Sequence, residues 1–197
     1  GNGLTTLEPL SCIKHLVKLN ASSNQLTKML DFAPSASLEW IDLSENQIKC
    51  IENVDKNLYL RHLYLDRNQI SKVENLAKNQ HLKVLSLNSN NIRKIENIDG
   101  IHLEELYLAD NKLTNITGLS QLPDLRTLDL SRNQITFLRG LENIESLRFL
   151  NLSLNRVSKI MQLRYVEMLS FLTELDLCFN PIQNRKMYTL QVLFHIP

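Results

Sequence analysis

Leu38-Glu39-Trp40-Ile41-Asp42-Leu43-Ser44-Glu45-Asn46-Gln47-Ile48 returns in pattern as Leu125-Arg126-Thr127-Leu128-Asp129-Leu130-Ser131-Arg132-Asn133-Gln134-Ile135. Both stretches read LxxLxLxxNxI. Ile41 and Leu43, like Leu128 and Leu130, alternate with period two, so a short strand sends them to a buried face and Asp42 or Asp129 to the other.

The asparagine sets the period. Asn24, Asn46, Asn68 and Asn90 stand 22 residues apart, and Asn2, Asn111, Asn133, Asn155 and Asn180 extend the series at spacings between 21 and 25. A fixed period of this size means one supersecondary unit copied along the chain, each copy burying its apolar side against its neighbours. Where each strand ends, the chain must turn inside the stack, and a buried backbone group left unpaired there costs ~1–3 kcal/mol. Asparagine both donates and accepts, so each one is expected to serve its own turn and the next coil's backbone, forming a ladder.

This pattern resembles the leucine-rich repeat. The 22-residue length, with Ile51 and Val54, Val73 and Leu76, and Ile116, Leu119 and Leu122 stepping at threes, is similar to the intracellular, protein phosphatase 1 regulator-like type. The resemblance implies an α/β solenoid, a horseshoe with a parallel concave β-sheet and short 3₁₀ or α segments on the convex side, in about eight or nine repeats.

The unbroken period makes residues 1–197 one solenoid, with no linker. Hydrophobic residues make up 43% but aromatics only 6%, which suits repeated Leu and Ile layers. No stretch approaches the ~18 apolar residues of a membrane span, nothing reads as a signal peptide, and no membrane partner is expected. Cys12, Cys50 and Cys178 form no flanking clusters, which favours a reducing, cytoplasmic setting. Three N-x-[ST] sequons begin at Asn20, Asn115 and Asn151. At Asn20 and Asn151 a glycan would bury the strand face, so they read as chance.

Gly1-Asn2-Gly3-Leu4 reads as the tail of a repeat, and Asn180-Pro181-Ile182 with Tyr188, Val192, Ile196 and Pro197 resembles a closing segment that lacks its last strand. The expectation is a fragment of a longer chain, without its N-terminal cap and with an incomplete C-terminal one. One residue is missing between Asn90 and Asn111, where Gly100 can tighten the convex segment. Three are added between Asn155 and Asn180, and Leu163, Val166, Met168 and Leu169 predict an α-helix within Met161 to Phe171.

At ~4.8 Å per strand, eight or nine coils make an arc roughly 40 Å long. The non-leucine positions of each strand face its concave side in three columns: Lys18, Trp40, His62, Val84, Glu105, Thr127, Phe149, Glu174; Asn20, Asp42, Tyr64, Ser86, Tyr107, Asp129, Asn151, Asp176; and Ser22, Ser44, Asp66, Asn88, Ala109, Ser131, Ser153, Cys178. Six of these are acids and one, Lys18, is a base, although the whole chain carries +1. The compensating lysines, such as Lys49, Lys56, Lys72, Lys78, Lys94, Lys112 and Lys159, fall in the turns and on the convex side. Aromatic anchors among carboxylates suit a protein partner that presents a basic segment. The expected partner-binding residues are Trp40, Asp42, His62, Tyr64, Asp66, Glu105, Tyr107, Asp129, Phe149 and Asp176. The plainer alternative is that these aromatics cover neighbouring strands.

His62 with Asp42, Tyr64 and Asp66 is the one cluster that suggests catalysis or metal binding, but an open surface with one histidine lacks a pocket and a full ligand set. G-x-x-x-x-G-K-[ST], H-E-x-x-H and G-x-S-x-G motifs are absent, and five glycines build no phosphate loop. The reading is therefore no enzyme, no cofactor and no metal, and the acidic face disfavours nucleic acid.

Leu19-Asn20-Ala21-Ser22-Ser23-Asn24-Gln25-Leu26-Thr27, Gly140-Leu141-Glu142-Asn143 and Asn180-Pro181-Ile182-Gln183 resemble the repeat region of leucine-rich repeat proteins that carry a guanylate kinase domain. That resemblance, shared with ciliary and axonemal repeat proteins, implies a cilium, flagellum or cytoskeletal setting. The expected function is a non-enzymatic scaffold or adaptor, with a phosphatase subunit or cytoskeletal component as the implied partner. The alternatives are the targeting domain of a larger enzyme and extracellular recognition.

Overall fold

The computed structural model describes residues 2–32, 37–184 and Tyr188. Each repeat contributes one three-residue strand: β1 (Lys18–Asn20), β2 (Trp40–Asp42), β3 (His62–Tyr64), β4 (Val84–Ser86), β5 (Glu105–Tyr107), β6 (Thr127–Asp129), β7 (Phe149–Asn151) and β8 (Glu174–Asp176). They form one 8-stranded parallel sheet in chain order. The central leucine-type residues pair in register, as Ile41 with Leu19 and Leu63 and Leu128 with Leu106 and Leu150. Most are sealed from solvent, and burying one such side chain contributes roughly 1.5–3 kcal/mol. The convex residues Ile51, Val54, Val73, Leu76, Ile116, Leu119 and Leu122 close the same core from the other side.

The asparagine ladder is present, with one correction to its direction. Asn46 Nδ2 donates to the Leu43 and Ser44 carbonyls of its own turn at 3.0 and 3.1 Å, and to the Ala21 carbonyl at 3.0 Å. Its Oδ1 accepts the Leu26 N–H at 2.9 Å. The cross-coil partners thus belong to the preceding coil, not the next, because the side chain points back over the turn it has just left. Asn68, Asn90, Asn111, Asn133, Asn155 and Asn180 repeat this arrangement. The residue before each is left-handed, from Glu45 at φ 57 and Ser89 at φ 54 to Leu154 at φ 56 and Phe179 at φ 59.

A second ladder lies on the convex side. Asn53, Asn75 and Asn97, themselves left-handed, donate to the carbonyls of Leu30, Ile51 and Val73 in the preceding coil at 2.6, 2.7 and 2.8 Å. Glycine takes this column in the next two coils: a Cβ on Gly118 would lie 2.3 Å from the Ile95 carbonyl oxygen, and one on Gly140 2.7 Å from that of Ile116. Gly100, at φ +75, has nothing within 4 Å of a Cβ and simply turns the shortened coil.

The helix expected from Met161 to Phe171 is shorter and tighter than its sequence suggests. Ile160–Leu163 is a 3₁₀ turn, followed by one α-helical turn, α1 (Arg164–Glu167). Leu163, Val166 and Leu169 are buried at threefold spacing, which a 3₁₀-like path satisfies, while Met161, Met168 and Phe171 stay exposed. At the far end Pro181–Asn184 is a 3₁₀ turn with Ile182 buried, and Tyr188 packs half-buried on the core. Val192, Ile196 and Pro197 lie outside the described residues.

Candidate protein-binding trough

The strand register sets the predicted columns side by side. Trp40 pairs with Lys18 on one side and His62 on the other, and Tyr64 pairs with Asp42 and Ser86. Trp40, Asp42, His62, Tyr64 and Asp66 are thereby gathered on and just after two neighbouring strands. Glu105 and Tyr107 stand two strands further on, and Asp129, Phe149 and Asp176 occupy β6, β7 and β8 in turn. The predicted residues form a row along the arc.

Within the row, Trp40 and Tyr64 pack with ring centroids 5.6 Å apart at 48°. The Lys18 ammonium stands over the Trp40 ring, 4.0 Å from its centroid. Tyr107 donates its hydroxyl proton to Glu105 at 2.7 Å. Between the two tyrosines, β4 is sunken: Val84 and Ser86 are only 7% and 3% exposed although they face the concave side. Tyr64 and Tyr107 flank Ser86 in register and overhang it, so these two aromatics also cover a neighbouring strand.

Several carboxylates have work within the fold. The Oδ1 of Asp42, Asp129 and Asp176 accepts the N–H two residues on, from Ser44, Ser131 and Cys178, as Asn20 and Asn151 do for Ser22 and Ser153. These are Asx turns that end each strand. The hydroxyls of Ser22, Ser153 and Thr117 also donate to the sequon asparagines Asn20, Asn151 and Asn115 at 2.8, 2.7 and 2.7 Å. The N-x-[ST] spelling therefore has a turn-making explanation of its own.

The remaining electrostatics are one-sided. Burial raises the Asp66 carboxyl above its usual value, against bonds from Ser86 and Asn88 that lower it. Burial, then the charges of Glu105, Asp42 and Asp66, raise the Tyr64 hydroxyl. Burial and Glu105 push Tyr107 far up. Ion pairs among the described residues lie beside the trough: Arg61 with Glu39, Arg67 with Glu45, Lys83 and Arg126 with Glu104, and elsewhere Lys78 with Asp55 and His102 with Asp124. Asp42, Asp66, Glu105, Asp129 and Asp176 join none of them.

Among the described residues no three His, Cys, Asp or Glu side chains are placed to hold a metal ion, the His62 neighbourhood included. No helix there is long and apolar enough to cross a membrane.

Residues 60–100 and 101–143 each match the family of leucine-rich repeats in its two-copy form. The matched stretches, less than half of the chain, are leucine-rich repeats. The repeat solenoid superimposes on internalin F of Listeria monocytogenes with a TM-score of 0.79 at 22% identity, covering 99% of this chain and 64% of that one. A leucine-rich repeat protein of Leptospira interrogans gives 0.83 at 25% identity, over 98% of this chain and 51% of the other. TLR13, in its complex with ssRNA13, gives 0.76 at 26%, over 88% and 27%. This chain thus spans less than two thirds of the length of these proteins. No curated protein sequence matches it significantly. Leucine-rich repeats typically serve as non-enzymatic interaction modules that bind proteins, and in some cases peptides or RNA.

Proposed function

We propose that this repeat solenoid is a non-enzymatic scaffold or adaptor whose concave trough holds a basic, extended segment of a partner protein. One observation carries the reading: among the described residues, all six trough carboxylates, Glu174 included, are unmatched by any ion pair, while acids just beside the trough are paired. A partner supplying lysine or arginine would complete that field, and the aromatic row would add buried area at low conformational cost. The trough repels a phosphate backbone, so protein is proposed here over nucleic acid. A phosphatase subunit or cytoskeletal component fits this chemistry where it presents such a segment.

The proposed setting is cytoplasmic, at the cytoskeleton or a cilium, supported by Cys12, Cys50 and Cys178 standing exposed and unbridged. A glycan found on Asn115 of the native protein contradicts it. The binding face is tested with Trp40→Ala/Tyr64→Ala: loss of more than ~2 kcal/mol of partner affinity is expected from a protein that still melts cooperatively. Undiminished affinity in the folded double variant moves the site off the trough.

A further inference from the structure

Lys18 is the one base in the three trough columns, and it stands where the sheet faces solvent at its first strand. It makes no ion pair with Asp42 on the adjoining strand. Its ammonium rests instead on the Trp40 ring, 4.0 Å from the centroid, and Tyr64 flanks that ring at 5.6 Å. An indole face draws a cation through its quadrupole, and carboxylates nearby deepen the attraction. Lys18 is exposed and the fold asks nothing else of it among the bonds described, so its place on Trp40 reports what that surface attracts.

We infer that the Trp40 face is a cation subsite of the trough, occupied by Lys18 in the free protein and taken over by an arginine or lysine of the bound partner, which displaces Lys18. This rests on the proposed binding of a basic segment and adds where that segment anchors. Arginine suits the site best, since its guanidinium stacks flat on an indole while its edge reaches carboxylates such as Asp42. Lys18 then acts as a built-in competitor that keeps the aromatic surface covered until a stronger cation arrives. Displacing an exposed cation–π contact costs roughly a two- to fivefold factor in affinity.

Trp40 is the single tryptophan of the chain, so its fluorescence reports this subsite alone. The probe is a fluorescein-labelled hexa-arginine peptide, followed by anisotropy for binding and, in an unlabelled titration, by Trp40 emission. The variants are Lys18→Met, the convex control Lys49→Met, and Lys18→Met combined with Trp40→Leu.

The expected result is a Trp40 emission change that saturates with binding. Lys18→Met should bind roughly two- to fivefold tighter than the Lys49→Met control, and the gain should vanish when Trp40 is leucine. Binding by anisotropy with silent Trp40 emission, or with Lys18→Met equal to or weaker than the control, overturns the subsite while leaving the basic-segment trough standing. No binding by either measure overturns both.

Discussion

The Asp66 carboxylate accepts the backbone N–H of Asn88, one coil further on, at 2.6 Å, and the Ser86 hydroxyl at 2.6 Å through the same oxygen. In other coils the N–H after the strand is served from within, by Asp42 or Asp129 two residues back. Ser86 holds that position on β4 and turns its hydroxyl to Asp66, and the preceding coil supplies the acceptor for Asn88. Asn88 does the same for the Ala109 N–H at 2.7 Å, where Tyr107 has displaced the usual Asp or Asn. Ser86 and Tyr107 thus stand where the turn chemistry has been handed to the preceding coil.

Asp66 pays for its position in desolvation, which gives a pH dependence with a definite sign. Its folded pKa lies above the unfolded value, so its stabilising, protonated form is favoured below the ordinary carboxylate range. That contribution is lost as pH rises through the folded pKa. Asp66→Asn keeps the Oδ1 acceptor for Asn88 and Ser86 without the charge. Urea melts should show the stability difference shifting in favour of Asp66→Asn as pH is raised from below the carboxylate range to neutrality. A constant difference across that range contradicts this.

Asn90 stands in mid-ladder, with donors to the Leu65, Leu87 and Asn88 carbonyls at 2.9, 3.1 and 3.1 Å and its oxygen on the Ile70 N–H at 2.9 Å. Asn90→Ala orphans groups in two coils at once. A loss of ~1–3 kcal/mol is expected in chemical denaturation. A melt identical to the parent's would remove the ladder from the account of stability.

Gly118 and Gly100 both have positive φ but differ in what surrounds them. A Cβ on Gly118 meets the Ile95 carbonyl, whereas one on Gly100 meets nothing. Gly118→Ala should cost more than ~2 kcal/mol, since backbone strain and a backbone clash add. Gly100→Ala should cost about 1 kcal/mol from conformation alone. Paired thermal melts check the ranking, and equal losses would contradict the close convex packing.

Leu154 is a left-handed leucine, 39% exposed, in a column where Asp110 and Ser89 take the same conformation. Asparagine tolerates that backbone better than leucine and little buried area is at stake. Leu154→Asn is expected to raise stability by roughly 0.5–1 kcal/mol, read as an increase in melting temperature. A decrease would mean the side chain packs more than its exposure indicates.

The sheet and its columns are legible in the sequence because the strand period and the asparagine period coincide, so the repeat alone assigns Trp40, Tyr64 and Asp66 to the concave side. The Asn53, Asn75 and Asn97 ladder escapes that reading, yet Glu52-Asn53-Val54, Glu74-Asn75-Leu76 and Glu96-Asn97-Ile98 repeat visibly. Asparagines outside the strand motif read as solvated turn residues until a carbonyl of the preceding coil is placed beside them. The longer helix is an overreading because Leu163, Val166 and Leu169 fit a 3₁₀ path as well as an α-helical one. For the trough, column membership tells which side chains face inward but not that Tyr64 and Tyr107 overhang β4, nor that Asp42, Asp129 and Asp176 cap their own turns. Those follow from side-chain size and hydrogen-bond direction across coils.

The central claim, that the unpaired carboxylates draw a basic segment into the trough, is tested by calorimetric titration of hexa-arginine into the parent and into Asp42→Asn/Glu105→Gln/Asp129→Asn. The asparagines preserve the acceptors for Ser44 and Ser131, so the fold is retained while three charges are removed. The account predicts binding roughly tenfold weaker and less sensitive to salt in the triple variant. Equal affinity and equal salt dependence in the two proteins would contradict it.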